Sequence, residues 1–406
     1  MANTLKFGNG EWYGSEGNIL AYNDENGNFK PLPFDFSRGS SATRVNQQGL
    51  IETVGANDAR VDYKDNANGA LLLEPQRTNS LLQSNQFDTT WTLSSSIDIT
   101  SGHSGVGGSN NAWLLKRNST GSRYVQQSLS LSSAQYSYSV YLKAESTNWA
   151  FFWSYDGSES VNAYIDLENG VVGNTAGSNL NNVSIESVGN GWYRVTLIYT
   201  QGTNLVRIYP AYSNGSVSIG TDNGIYIQYA QLEQGSYPTS IINTQGAAQT
   251  RLADSCSNGG NEQVINSTEG VLYIETKALS NDLSEKRFGL SDGTSSNVVR
   301  VGYSNVSNRI IAVVYNGANQ AILTYTSPDI TQNSKIAVKY KANDFALWVD
   351  GVKRSTDASG SVFTANTLNS IGFNIGGGSH FYSETKEVRV YNTALSDQEL
   401  AALTQV

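Results

Sequence analysis

The stretch KIAVKYKANDFALWVDG, residues 335–351, decides the fold class of this chain. Between residues 335 and 341 apolar side chains alternate with lysines, which is the period-two pattern of a strand with one buried face. Asn343-Asp344 ends that run, and residues 345–349 carry a second alternating run. Asp350-Gly351 predicts a type I′ turn, because both residue types tolerate a positive φ angle. The stretch therefore predicts consecutive antiparallel strands.

The same period recurs along the chain. Residues 136–142 place tyrosine, valine and leucine on one face of a predicted strand. Asn316-Gly317 predicts a second hairpin, between residues 309–315 and 320–325. Short alternating runs separated by turn residues are typical of β-sandwiches. We therefore predict an all-β fold with two β-sandwich (jelly-roll) domains in tandem.

One short helix is predicted at the C-terminal end. Ser396-Asp397-Gln398-Glu399 is a capping-box pattern, in which the serine hydroxyl and the glutamate carboxylate each accept from a backbone N–H of the first turn. Leu395, Leu400 and Leu403 flank this pattern at roughly helical spacing. These residues predict a helix that docks on the last sandwich.

Shifts in composition predict the domain boundaries. Residues 1–80 are rich in Asn, Gly and Arg and irregular in pattern, which favours an anchoring or oligomerisation segment. Residues 81–254 form one strand-rich block. The polar residues 255–264 predict a linker, and residues 265–406 form the second strand-rich block.

The charge pattern limits the partners. Only 15% of the residues are charged, and neutral hydroxyl and amide side chains suit hydrogen bonding to neutral groups such as those of sugars. The net charge is −9, and the 26 basic residues form no cluster. Nucleic acid and anionic lipid both require such clusters. We therefore expect neither nucleic acid nor a membrane as a partner.

The first residues suggest where the protein is made. No basic region is followed by an apolar stretch, so no signal peptide is predicted, and no run approaches 18 apolar residues. A glycan-suited composition without an export signal fits a protein that is assembled in the host cytoplasm and released by lysis. This combination favours a virion protein.

Cysteine and histidine are scarce. The single cysteine, Cys256, excludes an intrachain disulfide, and we interpret it as a buried thiol, with an intermolecular disulfide as the alternative. His103 and His380 leave little material for metal or triad chemistry. We expect no cofactor. A structural calcium ion at the turns Asp292-Gly293 or Asp222-Asn223 is the alternative left open.

Residues 149–155, WAFFWSY, are the main candidate for ligand contact. In a strand, the odd-numbered aromatic residues share one face and Phe152 points to the other. Sugars stack their C–H faces on aromatic rings, while nearby acids bind the hydroxyl groups. The alternative is that this row is core, because aromatic residues dominate buried strands. The predicted glycan contacts are Trp149, Trp153, Tyr155, Asp156 and Glu159.

A second candidate contact lies in the last block. Trp348 alternates with the apolar residues at 345, 347 and 349, so it is predicted to point away from the core. With Tyr303 or Tyr315 it could contact a ligand on the concave sheet of the sandwich.

Several arginines are spaced along the N-terminal segment, residues 1–80. Guanidinium groups pair bidentately with carboxylates and carbonyls, so they can fasten a segment that lacks its own core. We interpret them as a clamp between subunits or domains, which Arg251 could join; the alternative is ordinary surface arginine. The predicted clamp residues are Arg38, Arg44, Arg60 and Arg77.

Catalytic acids are not evident. Glycosidases need two carboxylates at a defined separation, and glucanases of the lectin-like fold carry them in a Glu-x-Asp-x-x-Glu pattern that no strand here matches. Glu275 and Glu387 are isolated along the chain. We therefore predict a protein without enzymatic activity. The other neighbouring acids fall in predicted turns, Asp156 with Glu159 and Asp166 with Glu168.

Several segments resemble a module of bacteriophage tail and fibre proteins, notably of phages that infect Bacteroidetes-type hosts. They run in order from residue 8 to residue 240. The resemblance implies that residues 81–254 are a carbohydrate-binding-module-like jelly roll. The segments are residues 8–12, 17–22, 34–46, 49–52, 60–63, 69–79, 189–195 and 231–240.

From about Gly270 the chain is similar to concanavalin A-like, laminin-G-type sandwiches, and residues 387–400 resemble their last strand and helix. The two resemblances together imply a virion fibre, spike or decoration protein that displays lectin-like domains toward host-surface polysaccharide. They also imply a homotrimer that contacts other virion proteins through its N-terminal segment. A purely architectural virion protein is the first alternative, and a polysaccharide depolymerase the second.

Overall fold

The computed structural model describes residues 2–10, 12, 14–15, 18–19, 32–218, 221 and 223–406. Within these residues the chain forms β-strands throughout, two 3₁₀ turns and one α-helix. It divides into two compact units: unit 1 is Met1–Gln76 with Leu252–Val406, and unit 2 is Arg77–Arg251. The predicted all-β class with a short C-terminal helix is confirmed. No helix among the described residues is long and apolar enough to cross a membrane.

The strands follow one another through tight turns. In the N-terminal part of unit 1 they are β1 (Leu5–Gly8), β2 (Gly14–Ser15), β3 (Asn18–Ile19), β4 (Phe34–Ser37), β5 (Ala42–Val45), β6 (Ile51–Val54), β7 (Arg60–Asp62) and β8 (Ala70–Leu73). In unit 2 they are β9 (Arg77–Asn79), β10 (Thr92–Leu93), β11 (Ile97–His103), β12 (Ala112–Arg117), β13 (Val125–Ala144), β14 (Trp149–Tyr155), β15 (Ser160–Asp166), β16 (Val171–Ala176), β17 (Leu180–Ser187), β18 (Trp192–Ala211), β19 (Gly224–Gln234) and β20 (Gln249–Arg251).

The C-terminal part of unit 1 contains the remaining elements. Its strands are β21 (Ser255–Ser257), β22 (Glu269–Ala278), β23 (Lys286–Ser291), β24 (Asn297–Tyr303), β25 (Arg309–Asn316), β26 (Asn319–Thr326), β27 (Ser334–Lys341), β28 (Phe345–Val349), β29 (Val352–Asp357), β30 (Ser370–Gly372) and β31 (Ser383–Tyr391). Helix α1 (Asp397–Thr404) follows, capped by Ser396 and Glu399 in the predicted capping box.

Unit 1 is a sandwich of two large sheets. One has the order β29-β28-β27-β22-β31-β8-β7, with β1 also paired to β31, and the other has the order β26-β25-β24-β23-β30. A single apolar cluster, the main core of unit 1, contains buried side chains from both sheets. Leu272 and Val338 come from the first sheet, and Val299 and Ala312 come from the second. Burial of this shared cluster holds the two layers together.

The stretch from residue 335 to 351 folds as predicted. Asp350 and Gly351 have φ angles of 51° and 76°, as a type I′ turn requires. The turn joins β28 to β29, with Val349 opposite Val352. The alternating apolar residues of β27 lie in the main core.

The structure divides the chain differently from the predicted boundaries. Much of the predicted separate segment, residues 1–80, completes the sandwich of unit 1. Phe7 of β1 lies opposite Val388 of β31, and β7 and β8 extend the same sheet. Phe7 and Leu71 are fully buried in the main core. Short strands of this kind cannot bury their apolar side chains alone, so they pack on the larger sandwich. Their role in assembly stays a prediction.

The predicted linker, residues 255–264, also belongs to unit 1. Strand β21 pairs with β4, so that Cys256 lies opposite Phe36. Cys256 is a free, buried thiol, as the sequence suggested, and burial raises its pKa. Val264 is buried in the main core. These apolar side chains anchor a stretch whose composition is otherwise polar.

A buried charge network fastens the N-terminal strands to residue 254. The Asp254 carboxylate accepts from Nη1 of Arg38 at 3.1 Å and from Nη2 of Arg60. Nη1 of Arg60 also donates to Glu74 at 2.5 Å, and the Glu74 backbone N–H donates to Asp254 at 2.8 Å. Burial disfavours the charged form of Arg60, but the two carboxylates outweigh it and raise its pKa above the ordinary value. All four residues are buried.

The clamp therefore contains two of the four predicted arginines and lies within unit 1. Arg38 and Arg60 join strands that are far apart along the chain. Arg44 instead pairs with Glu52 at 2.7 Å on the partly exposed β5–β6 hairpin. Arg77 belongs to unit 2. Sequence patterning cannot separate these cases, because burial depends on the tertiary structure.

We expect Asp254→Asn to destabilise unit 1 by about 3–5 kcal/mol, because it leaves two buried guanidinium groups without their shared carboxylate. Urea unfolding followed by tryptophan fluorescence measures the loss. Glu52→Gln is the matched control, since it removes one carboxylate from an exposed pair worth about 1 kcal/mol or less. Equal effects of the two substitutions would show that the buried network does not hold the segment.

Unit 2 is built from one ten-stranded sheet that folds over its own core. The order is β11-β12-β19-β13-β18-β14-β15-β16, with β10 on β13 and β17 on β18. The two long strands, β13 and β18, pair along most of their length, but the register shifts between Ser128 and Ala134. Such irregularities bend a strand, so both strands serve both layers around one apolar core.

Candidate functional site

Strand β14 carries the predicted aromatic row. Ala150, Phe152 and Ser154 are buried, whereas the four odd-numbered residues from Trp149 to Tyr155 are half-buried. The pleat therefore splits the strand as predicted, with Phe152 in the core. The alternative that the whole row is core does not hold, because the odd-numbered rings lie on the face away from that core.

Neighbouring strands add rings to the same face. Tyr209 of β18 and Tyr164 of β15 lie opposite Phe151, with ring centroids 5.2 and 4.5 Å away. Trp153 and Tyr155 are stacked at 5.3 Å with an interplanar angle of 16°. We call this surface the aromatic face. It consists of Tyr124, Trp149, Phe151, Trp153, Tyr155, Tyr164 and Tyr209, together with Arg207.

Arg207 organises the centre of the aromatic face. Its guanidinium lies between the rings of Tyr124 and Trp153, 4.1 and 4.5 Å from their centroids. Nε donates to the Gln126 side chain at 2.8 Å, and Nη1 donates to the Tyr209 hydroxyl at 3.2 Å. These contacts fix the guanidinium and brace Trp153 from one side. The rings are therefore held in place before any ligand arrives.

Polar groups border the rings. One row of residues in register crosses strands β13, β18, β14 and β15, and it consists of Gln126, Arg207, Trp153 and Asn162. A side-chain amide therefore stands at each end of this row. Burial raises the pKa of Tyr209 even though Arg207 opposes the shift, so this hydroxyl is protonated at neutral pH. Rings bordered by a few fixed donors and acceptors suit a flat, hydroxylated ligand.

The predicted acids lie at the end of the row, in the turn between β14 and β15. The Asp156 carboxylate accepts from the backbone N–H groups of Glu159 and Ser158 at 2.7 and 2.8 Å, and these bonds hold its pKa below the ordinary value. Asp156 thus stabilises the turn. Glu159 is exposed, so it is the acid nearer to a ligand-binding role.

The prediction for Trp348 is wrong. Trp348 does lie on the outer face of its sheet, but helix α1 covers that face and leaves Trp348 only 6% exposed. Leu400 and Leu403 of the helix belong to the same apolar cluster. Tyr303 lies in the main core, so the proposed grouping with Trp348 does not form. The alternation located the face correctly and could not show what packs on it.

The carboxylates that look isolated in the sequence meet in the structure. Glu275 of β22 lies directly opposite Glu387 of β31. Lys386 approaches Glu275 at 3.7 Å, while Arg389 and Lys6 approach Glu387 at 2.8 and 3.6 Å. Both acids are therefore ion-paired, with Glu387 buried and Glu275 partly buried.

The turn at Asp292 is one of the two candidate calcium sites, and its carboxylate is already hydrogen-bonded. The Asp292 carboxylate accepts hydrogen bonds within its own turn, from the Thr294 hydroxyl at 2.6 Å and from the Asn297 side-chain amide at 2.8 Å. Asp222, in the second candidate turn, lies outside the described residues. In the described part of the chain, no three acids, histidines or cysteines are grouped closely enough to hold a metal ion.

A cleft of about 420 Å³ in unit 2 is lined mostly by neutral polar groups. The side-chain amides of Gln83, Asn110, Asn243 and Gln245 line it and make no hydrogen bond within the described part of the chain. Thr244 also lines it, with a buried hydroxyl that lacks a partner there. These groups suit an uncharged, hydroxyl-rich ligand.

The sequence-based prediction of the aromatic face did not include Arg207 and Tyr209. Val206 and Ile208 alternate as core residues, which implies that Arg207 and Tyr209 share the opposite face. That signal was available. The pairing of β18 with β14, which brings these residues beside Trp153, is long-range and came only from the structure.

Comparison with known proteins supports the fold. Residues 275–401 match the model of the Concanavalin A-like lectin/glucanases superfamily. The matched residues lie within unit 1 and make up less than half of the chain. The C-terminal part of unit 1 is thus a concanavalin A-like jelly-roll sandwich. The chain carries a lectin-like β-sandwich, a fold that supports carbohydrate binding.

Solved structures with similar folds are distant in sequence. A sialidase CBM40 from Ruminococcus gnavus bound to alpha2,3 sialyllactose is 18% identical with a TM-score of 0.30, over 34% of this chain and 83% of that one. Mouse laminin alpha1 domains LG4-5 are 10% identical with a TM-score of 0.24, over 66% and 88%. Trypanosoma rangeli sialidase is 11% identical with a TM-score of 0.29, over 95% and 74%. No curated protein matches the chain.

Replacing the buried Trp348 should destabilise the protein more than replacing the half-exposed Trp153. We expect Trp348→Ala to destabilise unit 1 by about 3–5 kcal/mol, because it opens a cavity beneath helix α1. Trp153→Ala should cost clearly less, since its ring is half-exposed. Thermal unfolding of both variants measures the difference. A Trp348→Ala protein as stable as the Trp153→Ala protein would contradict the docking of α1.

Proposed function

We propose that this chain is a virion adhesion protein that binds polysaccharide on the host surface through the aromatic face of unit 2. This proposal rests on the set of rings around Trp153, all half-buried except the buried Tyr209. Arg207 braces these rings, and Gln126 and Asn162 border them. Partly exposed rings on a soluble protein favour a ligand that covers them. Sugars present apolar C–H faces and hydroxyl groups that match the rings and the amides.

The low charge of the surface supports a neutral glycan as the partner. Only 15% of the residues are charged, so hydroxyl and amide groups dominate the polar contacts. The lectin-like sandwich of unit 1 agrees with this assignment. The virion location rests on the phage-module resemblance of residues 8–240 and on the composition of the chain.

We further propose that the protein binds its glycan without cleaving it. The aromatic face has acids at both ends: Asp156 and Glu159 lie in the turn after Tyr155, and Asp166 lies opposite Trp149. The carboxylates of Asp156 and Asp166 each accept from backbone N–H groups of their own turn. Glu275 and Glu387 lie in unit 1 and are ion-paired. Asp156 and Asp166 are engaged in their own turns, whereas a glycosidase needs two carboxylates free to act on the glycosidic bond.

Trp153→Ala should weaken glycan binding by about tenfold or more, because truncating a central tryptophan commonly costs over 1 kcal/mol. An array of neutral oligosaccharides identifies a binder, and isothermal titration then gives Kd for both proteins. Tyr325→Ala is the matched control, since Tyr325 also packs under an arginine, Arg354 at 4.3 Å, but lies in unit 1.

Two results would count against this proposal. If the protein binds neither an array of neutral oligosaccharides nor host cells, the result would favour an architectural virion protein. Release of reducing ends from a bound polysaccharide would overturn the non-enzymatic assignment and favour a depolymerase.

We also expect the intact protein to form a homotrimer, because linked copies of a weak sugar site gain avidity. Size-exclusion chromatography with light scattering should give three times the mass of one chain. A stable monomer at micromolar concentration would contradict this expectation, while leaving the sugar site of each chain intact.

A further inference from the structure

A cleft of about 290 Å³ on the five-stranded sheet of unit 1 contains two arginines. Arg287 on β23 lies opposite Gly302 on β24, and Arg300 on β24 lies opposite Gly289 on β23. The two glycines carry no side chain of their own, and Ile375 packs over Gly289 at the base of the cleft. Tyr315 of β25 stands beside them in the cleft.

The two cations are not equally neutralised. Arg287 pairs with Glu285. Arg300 makes no ion pair and no hydrogen bond within the described part of the chain. Burial lowers the pKa of Arg300, and the neighbouring charge of Arg287 lowers it further, while the carboxylate of Glu285 acts in the opposite direction and is outweighed. A half-buried cation without an ion pair is unusual in a chain with 35 acids and 26 bases.

The rest of the cleft suits a sugar. Ser295, Ser296 and Asn319 are exposed at its rim, and their side chains make no hydrogen bond among the described residues. Tyr315 is half-buried and offers a ring. Buried Val313 forms part of the apolar lining. A ring, an apolar floor and free hydrogen-bonding groups are the usual composition of a small-molecule site.

We propose that this cleft binds the oxyanion of an acidic saccharide, a carboxylate or a sulfate, with Arg300 as the main contact. An arginine fork binds either group through two parallel hydrogen bonds. The site lies in the other unit from the aromatic face and takes a charged ligand instead of a neutral one. It rests on the proposed function only in that the partner is a polysaccharide.

The test uses the full chain and three probes: trigalacturonate, galactotriose as its uncharged counterpart, and a sulfated galactotriose. We expect binding of at least one acidic probe, weakened by added salt, and no measurable binding of galactotriose by this cleft. Arg300→Gln should weaken the acidic probe about tenfold or more, because charge-assisted hydrogen bonds are lost. Arg300→Lys, which keeps the charge without the fork, should fall between.

Arg354→Gln is the matched control, since it removes one positive charge from unit 1 outside the cleft. Equal loss in Arg354→Gln and Arg300→Gln would mean a general charge effect and would overturn the proposal. So would failure of both acidic probes to bind. Trp153→Ala should keep acidic binding, which separates this site from the aromatic face. Thermal unfolding confirms that each variant is folded.

Discussion

Side chains along a β-strand point alternately to opposite faces, and this constraint underlies most of the structure. A strand that buries Phe152 in the core must present Trp149, Phe151, Trp153 and Tyr155 on the other face. In a sheet with one solvated face, such rings can only be partly covered. The aromatic face is therefore a direct consequence of the pleat combined with an aromatic-rich sequence.

The same constraint acts with the opposite outcome in unit 1. Trp348 also points away from the sheet core, but helix α1 covers it with Leu400 and Leu403. The pleat decides the face on which a residue lies. Whether that face meets solvent, a helix or a ligand depends on what the rest of the chain places there.

Charged residues are few in this chain, and the surroundings of each arginine indicate its role. In unit 1, Arg38 and Arg60 converge on Asp254 and hold distant parts of the chain together. Arg207 in unit 2 acts through its flat faces, stacked between two rings. Arg300 has neither arrangement, and this difference marks its cleft as a ligand site. One residue type thus serves as clamp, brace and contact, according to its neighbours.

Local patterns in the sequence were enough to predict the all-β class, the hairpin at Asp350-Gly351, the helix cap at Ser396 and the split of residues 149–155 between two faces. These features depend on interactions among residues close along the chain. The three-dimensional structure was needed to show that β1, β7 and β8 complete the C-terminal sandwich, that Trp348 is covered, and that Arg207 reaches Trp153. These contacts join residues far apart in sequence, and in a single sequence no local pattern encodes which distant strand will pair with which.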